Sequence, residues 1–312
     1  MTVSVFLAFF FCKCSTHTQM KSRTLIKEKM SQFSNKTFIY DVWRHQMKLP
    51  RVNLTLKGHS RGGERSGFFI PEVGVCFDAG LNTDFSPQSI LITHCHSDHS
   101  FCLPMMLTGV DPPPLVCCPK EHVHLFENFV QAKRLLSSAG RNHWRNSFLG
   151  VKPGDTVPLG NSYFAQVFRL IHSVPTVGYG LCNQRAKLKP EFLGKPGKEL
   201  AALRQSGVEI SDTITVPLVA YLCDTTTDVF AFHPELLDYP VVLVECTFLG
   251  DDVLETASKS RHTHWNDLKP IIASHPNTHF VLIHFSMRYS LEDLDQFFSG
   301  DNSLPNITVW KN

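Results

Sequence analysis

The sequence predicts an α/β fold, a four-layer αββα sandwich of two mixed β-sheets flanked by helices. Three observations carry this expectation. After Arg51, short apolar runs follow one another between turn residues ("VNLTLKG", "SGFFI", "VGVCFDAG", "SILIT"), which is the texture of a β-meander. In the second half, the runs "TVPLVAYLCD", "VVLVECTF" and "HFVLIHF" alternate with helix-patterned segments such as "THWNDLKPIIASH" and "SLEDLDQFFSG". A length of 312 residues at 43% hydrophobic content is enough to bury a core of that size.

Taken in chain order, the first element is an apolar run from Val3 to Cys12, too short for the roughly 20 residues a membrane-spanning helix needs. No basic residue precedes it, while Lys13, Lys21, Arg23, Lys27 and Lys29 follow, the reverse of a secretion signal. Residues 1–46 are therefore read as a leader or poorly ordered extension and residues 47–312 as one domain. No stable membrane association is expected. The compartment is read as cytoplasmic or nuclear, with a mitochondrial or other organellar destination as the alternative.

The segment "HVHLFENFVQAKRLLSSAG" spaces Val123, Phe126, Phe129, Val130 and Leu135 at helical intervals and stops at Gly140. Several of the ten cysteines (Cys76, Cys182, Cys223, Cys246) lie inside strand-like apolar runs and are read as reduced and buried. Lys and Arg number 30 against 28 Asp and Glu, so the net charge of +2 gives no global case for a nucleic-acid binder and any basic patch must be local.

The chemistry concentrates in "ILITHCHSDHS", residues 90–100, where His94, His96, Asp98 and His99 follow an apolar strand directly. In α/β proteins, ligands gather beyond the carboxyl ends of strands. Crowding imidazoles and a carboxylate there is unfavourable unless a divalent cation supplies the missing charge, and this donor set suits zinc. Four such residues do not complete two sites, so further donors are expected at later strand ends. His172, Asp224 and His284 each terminate an apolar run in this way.

With these residues in view, the chain resembles the metallo-β-lactamase fold, and more narrowly the short, plant-like form of the tRNA 3′-processing endoribonuclease Z group. Besides the His-x-His-x-Asp-His motif, the likeness rests on "IHSVPTVGYGL", "KLKPEFLGKPGKELAALRQSGVEI", "CDTTTDVF", "VECTFL", "RHTHWNDL" and "IHFSMRY", over roughly residues 50–312. It implies two zinc ions per subunit, with manganese or iron as alternatives. His94, His96 and His172 would hold one ion, Asp98, His99 and His284 the other, and Asp224 would bridge them. Glu245 and His262 match the family's acid pair; His264 competes for that role, but His262 keeps the family's spacing to His284. Cys223 stands where the family usually has glycine, and His264 where it often has threonine.

The implied activity is removal of the 3′ trailer from precursor tRNA. Two ions about 3.5–4 Å apart would hold an attacking hydroxide and neutralise the phosphoryl oxygens. Asp98 would orient or deprotonate the water, and His262, aligned by Glu245, would protonate the leaving 3′-oxygen. The products would be a tRNA 3′-hydroxyl and a trailer 5′-phosphate.

Selection of tRNA needs a separate surface. The inserted segment at about 181–207 carries six basic residues, among them Lys187, Lys189, Lys195 and Lys198, against two acidic ones, and "LGKPGKEL" reads as a projecting tip followed by a helix at Lys198–Gln205. Such an arm would grip phosphates without reading bases. Arg288 is a further candidate for phosphate contact. The resemblance also implies a homodimer in which the arm clasps tRNA bound to the partner. Two rival readings keep the fold: a hydrolase of a small phosphodiester or other ester, and an RNA-binding paralogue without catalysis.

Overall fold

Side-chain parity along the strands explains the layering. Within Val241–Glu245, Val241 and Leu243 join one apolar cluster while Val242 and Val244 join another, and within His279–Ile283 the pairs Val281/Ile283 and Phe280/Leu282 divide in the same way. Successive residues of a strand point to opposite faces, so a strand that is apolar throughout must be covered on both.

The computed structural model describes residues 41–140 and 147–311, and Val42–Asn312 forms one compact unit. The proposed leader, apart from its last residues, lies outside the described residues. The first sheet holds β1 (Gln46–Lys48), β2 (Thr55–Gly62), β3 (Arg65–Ile70), β4 (Val75–Phe77), β5 (Ser89–Leu91), β6 (Leu115–Pro119) and β7 (Ser147–Val151) in sequential order. Pairing is antiparallel from β1 to β4 and parallel from β4 to β7.

The second sheet is built from β8 (Thr156–Gly160), β9 (Tyr163–Arg169), β10 (Val177–Leu188), β11 (Ser211–Leu222), β12 (Val241–Glu245) and β13 (His279–Ile283). The two-residue strand β14 (Phe285–Ser286) crosses to pair with β2, and β15 (Ile307–Val309) closes the second sheet beside β13. Strands β8 to β11 are antiparallel, and β11, β12, β13 and β15 run parallel.

The interior between the sheets is filled by Leu56, Phe68, Phe77, Tyr179, Tyr221 and Leu243 among others. Outside the first sheet, Ile90, Ile92 and Val116 meet Leu103, Met106, Phe126 and Val130 from the helices that follow β5 and β6. Outside the second, Val242, Val244 and Leu282 meet Trp265, Leu268, Ile272 and Leu294. The order is helix, sheet, sheet, helix, as the sequence predicts.

The helices are α1 (Ser97–Ser100), α2 (Leu103–Met106), α3 (Val123–Ser137), α4 (Gly197–Gln205), α5 (Val229–Phe232), α6 (Leu254–Ser260), α7 (Trp265–Ser274) and α8 (Leu291–Phe297). Helix α3 occupies its predicted place but buries Phe126, Val130 and Arg134, whereas Phe129 is 37% exposed. The guanidinium of Arg134 is tolerated inside because it donates to the Leu107 carbonyl. The cysteines among the described residues are unpaired thiols, mostly buried. No helix among the described residues is long and apolar enough to cross a membrane.

Past Leu181/Cys182 the β10–β11 pairing shifts register, and the two strands continue as a ribbon from Asn183 to Val216 that turns through α4. Helix α4 buries none of its residues.

Candidate metal centre

Strand β5 delivers its apolar residues to the core and stops at Leu91, and residues 92–96 run on without regular pairing until the single turn α1. That turn brings Asp98 and His99 back toward His94 and His96, as four converging side chains require. The turn is seated on the loop after β4: Ala79 N–H donates to the His99 carbonyl (2.7 Å) and Cys102 N–H to the Ala79 carbonyl (2.8 Å). A Cβ at Gly80 would collide with the Asp98 carbonyl oxygen, so only glycine allows this close approach.

His172 follows β9, Asp224 follows β11, Glu245 ends β12 and His284 follows β13. Two groups of donor atoms result. In the first, His94 Nε2 lies 3.0 Å from His96 Nδ1, and His172 Nε2 lies 3.3 Å from the same atom. Asp224 Oδ2 stands 3.5 Å from His94 Nε2 and 3.7 Å from His172 Nε2. In the second, His99 Nε2 and His284 Nε2 are 3.3 Å apart, each 3.2 Å from Asp224 Oδ1 and 3.5 Å from Asp98 Oδ2. Ligands held about 2.0–2.1 Å from a tetrahedral zinc stand about 3.3–3.4 Å from one another. The observed separations match that edge, and one carboxylate offers an oxygen to each group.

The other ring nitrogens settle which atoms carry lone pairs. His99 Nδ1–H donates to Asp78 (2.8 Å), His94 Nδ1–H to Thr93 Oγ1 (3.0 Å), His284 Nδ1–H to Thr247 Oγ1 (3.0 Å) and His172 Nδ1–H to the Arg261 carbonyl (3.3 Å). With those protons placed, the facing Nε2 atoms are bare acceptors that cannot satisfy one another, and a cation is the partner they lack. Burial drives the His94 imidazole well below its usual range, which keeps it neutral. Burial also disfavours ionised Asp224, but His284, His99 and His94 outweigh it and hold the carboxyl well below the ordinary range. Without an ion, burial resists a charged His99, yet Asp224 and Asp78 together pull its proton affinity well up. The pocket thus requires positive charge, and the residues fit a divalent metal.

Glu245 is fully buried and committed. Its oxygens accept from Thr225 N–H (2.5 Å), Thr263 N–H (3.1 Å), the Thr247 hydroxyl and His262 Nδ1–H (3.1 Å to each oxygen). With its lone pairs taken in this way it orients His262 rather than binding an ion of its own. Burial opposes the charged form of His262, but the Glu245 carboxylate prevails and raises it to about 9. His262, His96, Asp98, Asp224, His284 and Phe248 line one cleft of about 310 Å³. His264 is buried and spent elsewhere: its ring caps α7 through Asn266 N–H (3.1 Å) and reaches the Gly250 carbonyl (3.0 Å).

Cys223 is buried with its thiol 3.2 Å from Asp224 Oδ1, as a donor to the carboxylate shared by both groups. Arg288 stacks on Phe248 at 5.1 Å and reaches Ser286 Oγ (3.3 Å), both of which line the cleft, so it sits at the rim. Lys187 and Lys189 lie on the ribbon, where Lys189 approaches Asp212 (4.0 Å). Lys195 pairs with Glu199 and Lys198 is exposed on α4.

Sequence reasoning missed Asp78, Thr93 and Thr247. Asp78 is buried and accepts from Thr93 N–H (2.7 Å), Tyr221 Oη–H (2.8 Å) and His99. Its signal was available, since "VCFDAG" ends an apolar strand in a carboxylate just as "YLCD" does. Asp78 (φ 59°), Asp224 (φ 58°) and His284 (φ 62°) all adopt the left-handed backbone conformation, which costs on the order of 1 kcal/mol or more for a non-glycine residue. At these three positions the strand breaks sharply and aims a functional side chain.

Comparison with known proteins follows the same line. No protein-family model matches the chain. It is 30% identical over 254 residues to tRNase Z TRZ1 of Arabidopsis thaliana, covering 78% of this chain and 90% of that protein. The chain belongs to the tRNase Z family. The chloroplastic tRNase Z TRZ2 of the same plant is 30% identical over 252 residues, covering 77% of this chain and 69% of the relative. Among solved structures, the short form of human tRNase Z aligns with a TM-score of 0.44 at 16% identity, over 76% of this chain and 86% of that one.

Proposed function

We propose that this chain is a metal-dependent endoribonuclease that removes the 3′ trailer from precursor tRNA, leaving a 3′-hydroxyl on the tRNA and a 5′-phosphate on the trailer. The observation that carries the reading is the junction of two donor groups through the two oxygens of Asp224, with the Glu245–His262 pair in the same cleft. His94, His96 and His172 with Asp224 would hold one zinc ion, and Asp98, His99 and His284 with Asp224 a second. When bound, such ions lower the pKa of water and offset charge on the phosphoryl oxygens.

The chain's own groups do the rest. Asp98 faces the cleft with Oδ2 fixed by Gly63 N–H (3.0 Å), placed to orient the attacking water and take its proton. His262, kept protonated by Glu245, donates to the departing 3′-oxygen. Arg288 at the rim meets a flanking phosphate. Along β10 the alternation of side chains sets Arg185 and Lys187 on one face of the ribbon, a basic stripe suited to phosphates rather than base edges. A homodimer belongs to this reading, and the exposed Phe101, Leu125 and Phe129, which line one shallow apolar cleft beside the metal bend, support it as the face between copies.

The test is cleavage mapping. Purified protein incubated with a trailer-bearing precursor tRNA should cut at the trailer junction, lose activity on chelation and regain it with added zinc or manganese. A metal-loaded protein that leaves the precursor intact while hydrolysing a small chromogenic phosphodiester would replace this reading with that of a small-substrate hydrolase.

A further inference from the structure

We propose that Arg261 is a positioning residue that locks His172 in its donor orientation and ties the segment bearing His262 to it. This rests on the reading of His172 as a metal ligand and His262 as the acid.

Arg261 terminates α6 in the left-handed conformation (φ 57°, ψ 49°). That position at a helix end favours glycine, because a Cβ crowds the following backbone. A residue of another type persists there when its surroundings over-determine it. Besides the backbone N–H, which caps α6 on the Ala257 and Ser258 carbonyls, the surroundings include a partner 89 residues away: Arg261 Nη1 donates to the His172 carbonyl (2.8 Å), and the Arg261 carbonyl in turn accepts from His172 Nδ1–H (3.3 Å). The two bonds run in opposite directions and join the main chain and ring of His172 to the side chain and main chain of Arg261.

His172 needs such a clamp. It lies in the bend between β9 and β10, outside any strand, so no ladder of backbone hydrogen bonds fixes it. With its Nδ1 proton on the Arg261 carbonyl, the Nε2 lone pair faces His96 Nδ1 and Asp224 Oδ2. The next residue along the chain is His262, whose ring centroid lies 4.9 Å from that of His172. One arginine therefore sets the separation between a donor and the acid. Arg261 also lines a polar cleft with Thr226, Asp228 and Ser258, so a competing role, gripping RNA directly, must be told apart.

Arg261→Gly discriminates, because glycine adopts the left-handed conformation freely and retains the carbonyl while removing the guanidinium. The positioning role predicts a thermal midpoint equal to or above that of the parent chain. It also predicts zinc released to a chelator at about 10- to 100-fold lower competition, and a similar loss in kcat on precursor tRNA with KM within about twofold. Arg261→Lys should recover part of each loss, and it decides the matter alone should the glycine variant not fold. A raised KM with kcat and zinc retention intact would mean that the guanidinium binds RNA, and no change in any measure would mean that it does nothing here; either overturns the proposal. If the parent chain itself neither retains metal nor cleaves precursor tRNA, the reading beneath the proposal has failed instead.

Discussion

At the metal pole, His94, His99, Asp224, Glu245 and His284 are all buried and each arrives from the end of a different element or from the bend after β5. In the ribbon, α4 buries nothing, and the ion pairs formed there are internal to the projection. The pole thus depends on the whole sandwich, since the ends of strands from both sheets and the bend after β5 must meet for the donors to converge. The ribbon depends on two paired strands and their charges. Damage at the pole should therefore abolish chemistry on every substrate, whereas damage on the ribbon should touch only substrates long enough to reach it.

The sharpest contrast comes from His96→Ala, which is expected to bring cleavage of precursor tRNA and of a small phosphodiester alike to background and to lower the bound zinc measured by elemental analysis. Deletion of Leu193–Leu200 should nearly abolish cleavage of precursor tRNA and leave small-phosphodiester turnover largely intact; equal loss on both would break the division of labour.

Glu245→Gln comes next, with kcat on precursor tRNA down by about 10²–10⁴-fold. Because Glu245 raises His262 to about 9, the protonated acid is present below that pH and lost above it. The parent profile should fall on its alkaline side near there, and in the variant that fall should move down toward the ordinary imidazole value; a fixed alkaline limb would remove His262 from the role. The smallest effect belongs to Lys187→Ala, a few-fold weaker binding of precursor tRNA with a salt-dependence slope reduced by about one, read from binding titrations at several ionic strengths.

The donors were legible because their chemistry restricts residue type and their position restricts context: imidazoles and a carboxylate at the ends of apolar strands have few structural uses. Their supports were less legible. Thr247 reaches His284 across 37 residues, once β12 and β13 lie side by side, and Tyr221 reaches Asp78 across 143, a contact that exists only once both sheets are in place. A threonine hydroxyl beside a strand is too common to announce such a role. The choice of His262 over His264 as the acid rested on resemblance, and the geometry offers a physical reason, since His264 has its nitrogens engaged in a helix cap and a backbone carbonyl. In the ribbon, charge and Gly/Pro punctuation marked the turn and α4, but not how far the strands run, because exposed two-stranded segments carry little apolar pattern.

Strands β11, β12 and β13 are parallel neighbours, and their carboxyl ends carry Asp224, Glu245 and His284 in turn. Adjacent strands in a sheet keep a spacing of about 4.8 Å whatever side chains fill the core. The backbone therefore acts as a ruler, and three reactive groups sit on its consecutive marks. Drift in the sandwich filling, Val to Ile or Leu to Met, leaves that gauge untouched, whereas a slip of one residue between two of these strands would carry a group about 3.3 Å along its axis and turn it to the opposite face.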